Sequence, residues 1–303
     1  MRQKTIGNSF TIEGIALHTG LNICLKASPA PTNHGIIIRR TDLDGQPEIE
    51  AIAENVGETI RGTVLKNGTV QVSTIEHAMA AFYAAGIDNC LFEVDGPEFP
   101  ILDGSSKTFR DKILEVGIVV QDETKDYLTI TEEIEYTTES GSKINAYPAD
   151  KLELEVLIGF DSPVLREQTA SLKDIRNFNK ETASARTFVF VREIEPLLNM
   201  NLIKGGDLKN AIVIYDKIMS QEAVDNLTDK LHQHKVDATQ LGYLNGGIKF
   251  ENEPAMHKLL DLIGDLALVG RPIKGRIVAK YPGHKINTEF AKLLRNIYLT
   301  NKK

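Results

Sequence analysis

The spacing of apolar positions changes several times along the first third of the chain. Ile36–Arg40 is short and β-branched and reads as a strand. Residues 73–85 recur with helical spacing up to Gly86. Residues 89–94 are strand-like, and residues 106–115 predict a second helix that stops at Gly117. The stretch QDETKDY at 121–127 is polar and charged with no apolar period, so it predicts a domain boundary that divides the chain into 1–124 and 125–303. Beyond it, residues 128–136, 143–147 and 152–158 alternate like an antiparallel sheet. Residues 187–191 and 211–215 are apolar and β-prone, 254–268 is a strong amphipathic helix, 275–280 a strand and 287–299 a closing helix. Strands and helices in both halves predict two α+β units packed together. Direct similarity between the halves is too weak to establish a duplication.

Composition narrows the function classes. The 303 residues carry 42 acidic and 35 basic side chains, a net charge of −7, with none of the Lys/Arg clustering of a nucleic-acid binder. An anionic nucleotide would need a local basic pocket. The two cysteines, Cys24 and Cys90, form neither a disulfide framework nor a C-x-x-C pair, which fits a reducing compartment and leaves His, Asp and Glu to build any metal site. The start, MRQKTIGNSFTIEG, lacks the apolar core of a signal peptide. The longest nearly apolar run, AMAAFYAAGI at 78–87, is far short of the ~20 residues that span a bilayer. The expected setting is cytoplasmic, with no transmembrane segment and no nucleic-acid partner.

Three constellations carry candidate chemistry. Ser73 and Glu76 fit an S-x-x-E capping box that would start a helix; alternatively, Glu76 and His77 project from that helix start into a site. His257 and Asp261 are spaced i, i+4 on one helix face, and Asp265 extends the stripe by a turn. That stripe reads either as a solvated polar face or as part of a metal site, since zinc takes His nitrogen and Asp oxygen. His284 follows Pro282-Gly283 and is expected on a loop. Taken together, His77, His257 and Asp261 would supply three ligands and leave a position for water, with Glu76 as base and His284 as a second acid/base group.

Several segments then add up to a resemblance. GIALHTG at 14–20, STIEHAMAAFYAAGIDN at 73–89, PILDGSS at 100–106, SARTFVF at 184–190, FENEPAMHKLLDLIGDLALVG at 250–270 and PGH at 282–284 resemble the UDP-3-O-acyl-N-acetylglucosamine deacetylase family, in the same order and spacing over nearly the whole chain. The resemblance implies an α+β fold of two β-α-α-β domains sandwiched with their helices inside, each with a small insert, near 41–62 and 193–218. It implies hydrolysis of the 2-acetamido group of a UDP-linked, 3-O-hydroxyacylated glucosamine, the committed step of lipid A synthesis in Gram-negative bacteria. It further implies Zn2+ (Fe2+ also suits such a site) on His77, His257 and Asp261, Glu76 as general base and His284 as general acid or stabilising cation. Asp265 would orient His284, Thr187 would donate to the oxyanion, and Lys258 would sit over the polar end of the substrate. Lys143, Phe160 and Glu193 would contact the UDP portion, and Ile194, Ile203 and Val213 would wall an acyl passage or else be plain core. The family often has a Lys where this chain has Tyr281, with Lys280 as its neighbour; His18 matches the GLHTG pattern without a derived role. Some family members are fused to an acyl-carrier-protein dehydratase. Against the deacetylase stand another metal-dependent amidohydrolase and a non-catalytic sugar-nucleotide or lipid-binding module.

Overall fold

The computed structural model describes residues 1–178, 180–230, 234–244 and 246–300; the terminal Asn301-Lys302-Lys303 lies outside the described residues. The first half builds a five-stranded sheet in the order Phe10–Ile15, Asn22–Pro29, Cys90–Val94, Ile36–Arg40, Glu48–Glu50. Helix α1 (Glu76–Ala85) precedes the central strand and helix α2 (Lys107–Val116) follows it. α1 ends where Gly86 turns left-handed (φ 72°) and closes the last carbonyls, a conformation that suits glycine.

The second half repeats this plan. After helices α3 (Lys180–Ser184), α4 (Val191–Asn199) and α5 (Gln221–Lys230), helix α6 (Glu253–Leu266) precedes a central strand, Ile273–Lys280, and helix α7 (His284–Thr300) follows it. The strand order is Ile134–Thr137, Lys143–Tyr147, Ile273–Lys280, Leu152–Ile158, Gln168–Leu172, matching the first sheet position for position. In each sheet the central strand is antiparallel to one neighbour and parallel to the other. A repeat that the residues conceal is thus visible in the topology. α1 and α6 pack on each other; α6 also packs on Leu152–Ile158 and Gln168–Leu172, while Phe82 of α1 stacks edge-on to Phe92 of the first sheet. The helices therefore lie inside, between the sheets.

Gly264 permits the tightest part of this contact. A Cβ on Gly264 would stand 2.1 Å from the backbone oxygen of Glu76. Only a residue without a side chain lets the last turn of α6 ride against the first turn of α1.

Several expectations change. The polar stretch that begins at residue 121 is partly strand: Ile118–Thr124 pairs with Arg2–Ile6. Its side chains are exposed on both faces, so nothing required an apolar alternation. Residues 128–136 split into Leu128–Thr129 and Ile134–Thr137, and Leu152–Ile158 is separated from Lys143–Tyr147 by the intervening Ile273–Lys280, to which it runs parallel. The first insert is not 41–62, because Glu48–Glu50 completes the five-stranded sheet; the hairpin Leu65–Asn67/Val70–Val72 lies in the stretch between that strand and α1. The second insert is wider than 193–218. Phe188–Phe190, Ile212–Tyr215 and Gly242–Tyr243 form a separate sheet whose core includes Val191, Ile194, Val213, Tyr215, Val224 and Ala238.

Replacing Gly264 with Ala should lower stability by about 1–3 kcal/mol, the usual range for overpacking. Urea denaturation checks this; an unchanged midpoint and slope would mean that the helices separate without cost.

Candidate metal and acid–base centre

The capping-box reading of Ser73 and Glu76 does not hold. Ser73 Oγ donates to the Pro97 carbonyl, the residue preceding α1 is Ile75, and Thr74 sits at φ 58°. Glu76 is the first residue of α1, and its carboxylate turns inward, where Oε2 accepts the backbone N–H of Thr63 at 3.1 Å. The polar stripe of α6 is not solvated either: His257, Asp261 and Asp265 are each at most 2% exposed. His284 is the first residue of α7 rather than a loop residue.

These helix positions converge. His257 Nε2 lies 3.3 Å from Asp261 Oδ1, and His77 Nε2 lies 3.8 Å from the same oxygen. The two imidazoles meet edge to face at 5.1 Å, and one ligand atom from each of the three residues falls within 4.8 Å of the others. A tetrahedral site with ligand bonds of about 2.0–2.1 Å has ligand–ligand edges of about 3.3 Å. Two further observations fit a cation. Among the described residues, Asp261 Oδ1 is buried without a hydrogen-bond partner. His257 Nδ1 donates to the Ala185 carbonyl at 3.0 Å, which leaves the Nε2 lone pair facing the cluster. Burial holds His77 down at about 3 and also lowers His257, so both imidazoles are neutral, as ligands must be. Burial would raise Asp261, but His257, Lys258 and His284 more than reverse it and keep the carboxylate ionised. The three residues can hold a metal ion.

Beside them sits an acid–base pair. Burial pushes Glu76 up to about 7, and the carboxylates of Asp261 and Asp265 push in the same direction against His284. Burial would lower His284, and a helix N-terminus disfavours a cation; the carboxylates of Asp265, Asp261 and Glu76 outweigh this and raise it to about 9. His284 Nδ1 donates to Asp265 Oδ2 at 3.0 Å, while Nε2 lies 3.9 Å from Glu76 Oε1 and 3.8 Å from Asp261 Oδ2. Asn287 Nδ2 also donates to Asp265 Oδ2, and Thr63 Oγ1 donates to Oδ1 at 2.5 Å. Near neutral pH the centre therefore holds a proton acceptor and a proton donor together.

The other predicted residues border this centre at different ranges. Lys258 Nζ reaches Asp261 Oδ2 at 2.8 Å and lies 5.5 Å from the Phe188 ring. Phe188 and Phe190 stack with Phe160 at 5.5 and 5.2 Å, an aromatic shelf beside Lys258. Glu193 Oε2 lies 3.0 Å from the Arg61 guanidinium. Thr187, two residues after the carbonyl that holds His257, shares a cavity of about 90 Å³ with His18, Ile194, Ile203 and Val213. Lys143 is at the sheet, 2.6 Å from Glu135 and directly across from Lys280. Tyr281 turns at φ 53° and donates its hydroxyl to Glu167 at 2.9 Å. Sequence reasoning missed Thr63, Asn287, Arg61 and the Ala185 carbonyl. Thr63 and Arg61 fall in an aperiodic stretch, and a backbone carbonyl leaves no mark in a sequence.

Two measurements follow from this geometry. The purified protein should bind one divalent ion per chain, and His257→Ala should lose it, as metal analysis after dialysis would show. Asp265→Asn removes a carboxylate that favours the imidazolium, so the pKa of His284 should fall from about 9. An NMR titration of the histidines reads this directly, and an unmoved His284 would break the pairing.

Comparison with known proteins places the chain. The family model described as UDP-3-O-acyl N-acetylglycosamine deacetylase (LpxC) matches residues 3–238 and 237–296. A protein of Bacteroides thetaiotaomicron named bifunctional enzyme LpxC/FabZ is 54% identical over 97% of this chain, which spans 64% of that relative's length. A similarly named protein of Porphyromonas gingivalis is 52% identical, again with 64% of its length covered. A protein of Marinobacter nauticus named UDP-3-O-acyl-N-acetylglucosamine deacetylase is 38% identical over 97% of this chain and 90% of its own.

Proposed function

The chain belongs to the UDP-3-O-acyl N-acetylglycosamine deacetylase family, and from that premise we propose that it hydrolyses the 2-acetamido group of UDP-3-O-(3-hydroxyacyl)-N-acetylglucosamine to the free amine and acetate, the committed step of lipid A biosynthesis. The observation that carries the proposal is the burial of Glu76 and His284, opposed in proton affinity, against the His77–His257–Asp261 triad. Zinc is the proposed ion, and Fe2+ suits the same donors. When bound, such an ion acidifies water and polarises the amide carbonyl.

The residues divide the work. Glu76 accepts the proton of the attacking water as its oxygen bonds to the carbonyl carbon. Thr187 donates to the oxyanion that develops. Lys258, between the triad and the Phe188 ring, holds the polar end of the substrate. The C–N bond then breaks, and His284, kept protonated by Asp265, delivers a proton to the leaving amine.

The substrate's two ends have separate supports. Phe160 offers an exposed ring to the UDP portion, with Glu193 nearby on the insert. Lys143, paired with Glu135, and Lys280 stand opposite each other across the sheet, two cations that suit an anion such as a diphosphate. On this reading Lys280 takes the place of the lysine missing at Tyr281. Ile194 and Val213 are buried and Ile203 half-buried around the cavity that Thr187 shares, which suits an acyl chain.

A cytoplasmic setting belongs to the same proposal; among the described residues no helix is long and apolar enough to cross a membrane. The bifunctional names of the longer relatives support reading this chain as the deacetylase portion of a protein joined to an acyl-carrier-protein dehydratase.

The test is deacetylation of the acylated UDP-sugar with and without a chelator. Activity should vanish with the metal and return on adding zinc; Glu76→Ala should keep the metal yet lose most turnover. Retained turnover in that variant would remove Glu76 from the reaction. Burying methylenes contributes about 0.8 kcal/mol each, so Ile203→Trp should cut kcat/KM for acylated substrate while leaving the slower unacylated one nearly unchanged. An unchanged ratio in a folded variant would send the acyl chain elsewhere.

A further inference from the structure

Thr63 touches both members of the acid–base pair and is 0% exposed. Its backbone N–H donates to Glu76 Oε2 at 3.1 Å. Its hydroxyl donates to Asp265 Oδ1 at 2.5 Å, and the same Oγ1 lies 3.3 Å from His284 Nδ1. The single hydroxyl proton is committed to Asp265, so a lone pair remains to accept from Nδ1. The imidazole N–H is thereby shared between Asp265 Oδ2 and Thr63 Oγ1.

The hydroxyl is not what holds its own loop. Gly57 N–H donates to the Val64 carbonyl at 2.8 Å and Val64 N–H to the Glu58 carbonyl at 3.1 Å, closing the turn with backbone bonds on either side of Thr63. The loop nevertheless runs tight over Glu76: a Cβ at Gly62 would stand 3.2 Å from Oε1. A threonine held there by its neighbours is free to use its hydroxyl on the residues of α6 and α7.

We propose that Thr63 is a positioning residue that fixes the base Glu76 and the acid His284 relative to each other, through its backbone N–H on one and its hydroxyl on the carboxylate that orients the other. Glu76 belongs to α1, Asp265 to α6 and His284 to α7, and Thr63 spans all three. Its methyl group is incidental; the hydroxyl orients the acid. Without that hydroxyl, Asp265 Oδ1 loses its donor inside the core and the imidazole loses one of its two acceptors.

The inference rests on the roles given above to Glu76 and His284, and the experiment separates its failure from theirs. Thr63→Val keeps the backbone contact to Glu76 and the side-chain volume but removes the hydroxyl; Thr63→Ser keeps the hydroxyl. In the metal-loaded enzyme, Thr63→Val should lower kcat by about 10- to 100-fold, the scale of a lost hydrogen bond to a buried charge. KM should stay within about twofold and metal content at one equivalent, while Thr63→Ser should return kcat to within about threefold of the original. The Nδ1–H resonance of His284, followed by NMR with labelled histidine, should move in Thr63→Val and hold in Thr63→Ser. Thr63→Ala, smaller and unable to clash, replaces Thr63→Val if the latter does not fold. Wild-type kcat in the hydroxyl-free variant, a loss confined to KM, or a serine variant as impaired as the valine one would overturn the proposal. If the parent protein shows no deacetylation, the function reading falls, and the resonance still decides: unmoved, it overturns the positioning role; shifted only without the hydroxyl, it upholds it.

Discussion

Three carboxylates and three imidazoles lie together between α1, α6 and α7, nearly closed off from water. Each alone would be costly to bury, and the cost is met only because they face one another with defined hydrogen bonds. Asp265 shows this most clearly: wholly buried, it has Thr63, His284 and Asn287 as donors. Asp261 is the exception, with one oxygen bound by Lys258 and the other lacking a hydrogen-bond partner among the described residues. The rest of the architecture serves this balance. Gly264 brings α6 onto α1, and the paired sheets shield the helices from either side.

The same environment sets the two proton affinities apart. Glu76 has a backbone donor but no cation in hydrogen-bond contact, so burial dominates and its affinity for a proton rises. His284 is a little less buried, and carboxylates approach both sides of its ring, so their attraction dominates. One helix start thus supplies a group that readily takes a proton near neutrality and another supplies a group that already carries one.

Much of this was legible in the sequence where the signal was local. The amphipathic period revealed α6, and its i, i+4 spacing placed His257 and Asp261 on one face; residues of the centre named from motifs, including His77 and Glu76, converge in space. What failed did so for identifiable reasons. The S-x-x-E pattern imitates a capping box because spacing does not record that Thr74 turns left-handed before Glu76. The polar run 121–127 hid the end of the strand Ile118–Thr124 because an exposed two-stranded ribbon has no buried face to mark. Thr63 gave no sign at all, since the partners of its hydroxyl come from the far end of the chain. The repeated strand order was hidden for a related reason: different side chains can fill the same topology.

Thr63 and Asp265 stand 202 residues apart in the sequence, and that separation has a consequence for how the molecule comes together. The centre consists of contacts between distant stretches, the kind that form late because loop closure must precede them. Neither half can assemble it alone, so an ion that binds there recognises only the folded pairing of both. By mass action such an ion shifts the folding equilibrium of the whole chain, by about 4 kcal/mol at a thousandfold excess over its dissociation constant. The cation would then act as a clasp on the two halves, and its removal should loosen the molecule well beyond the few residues that touch it.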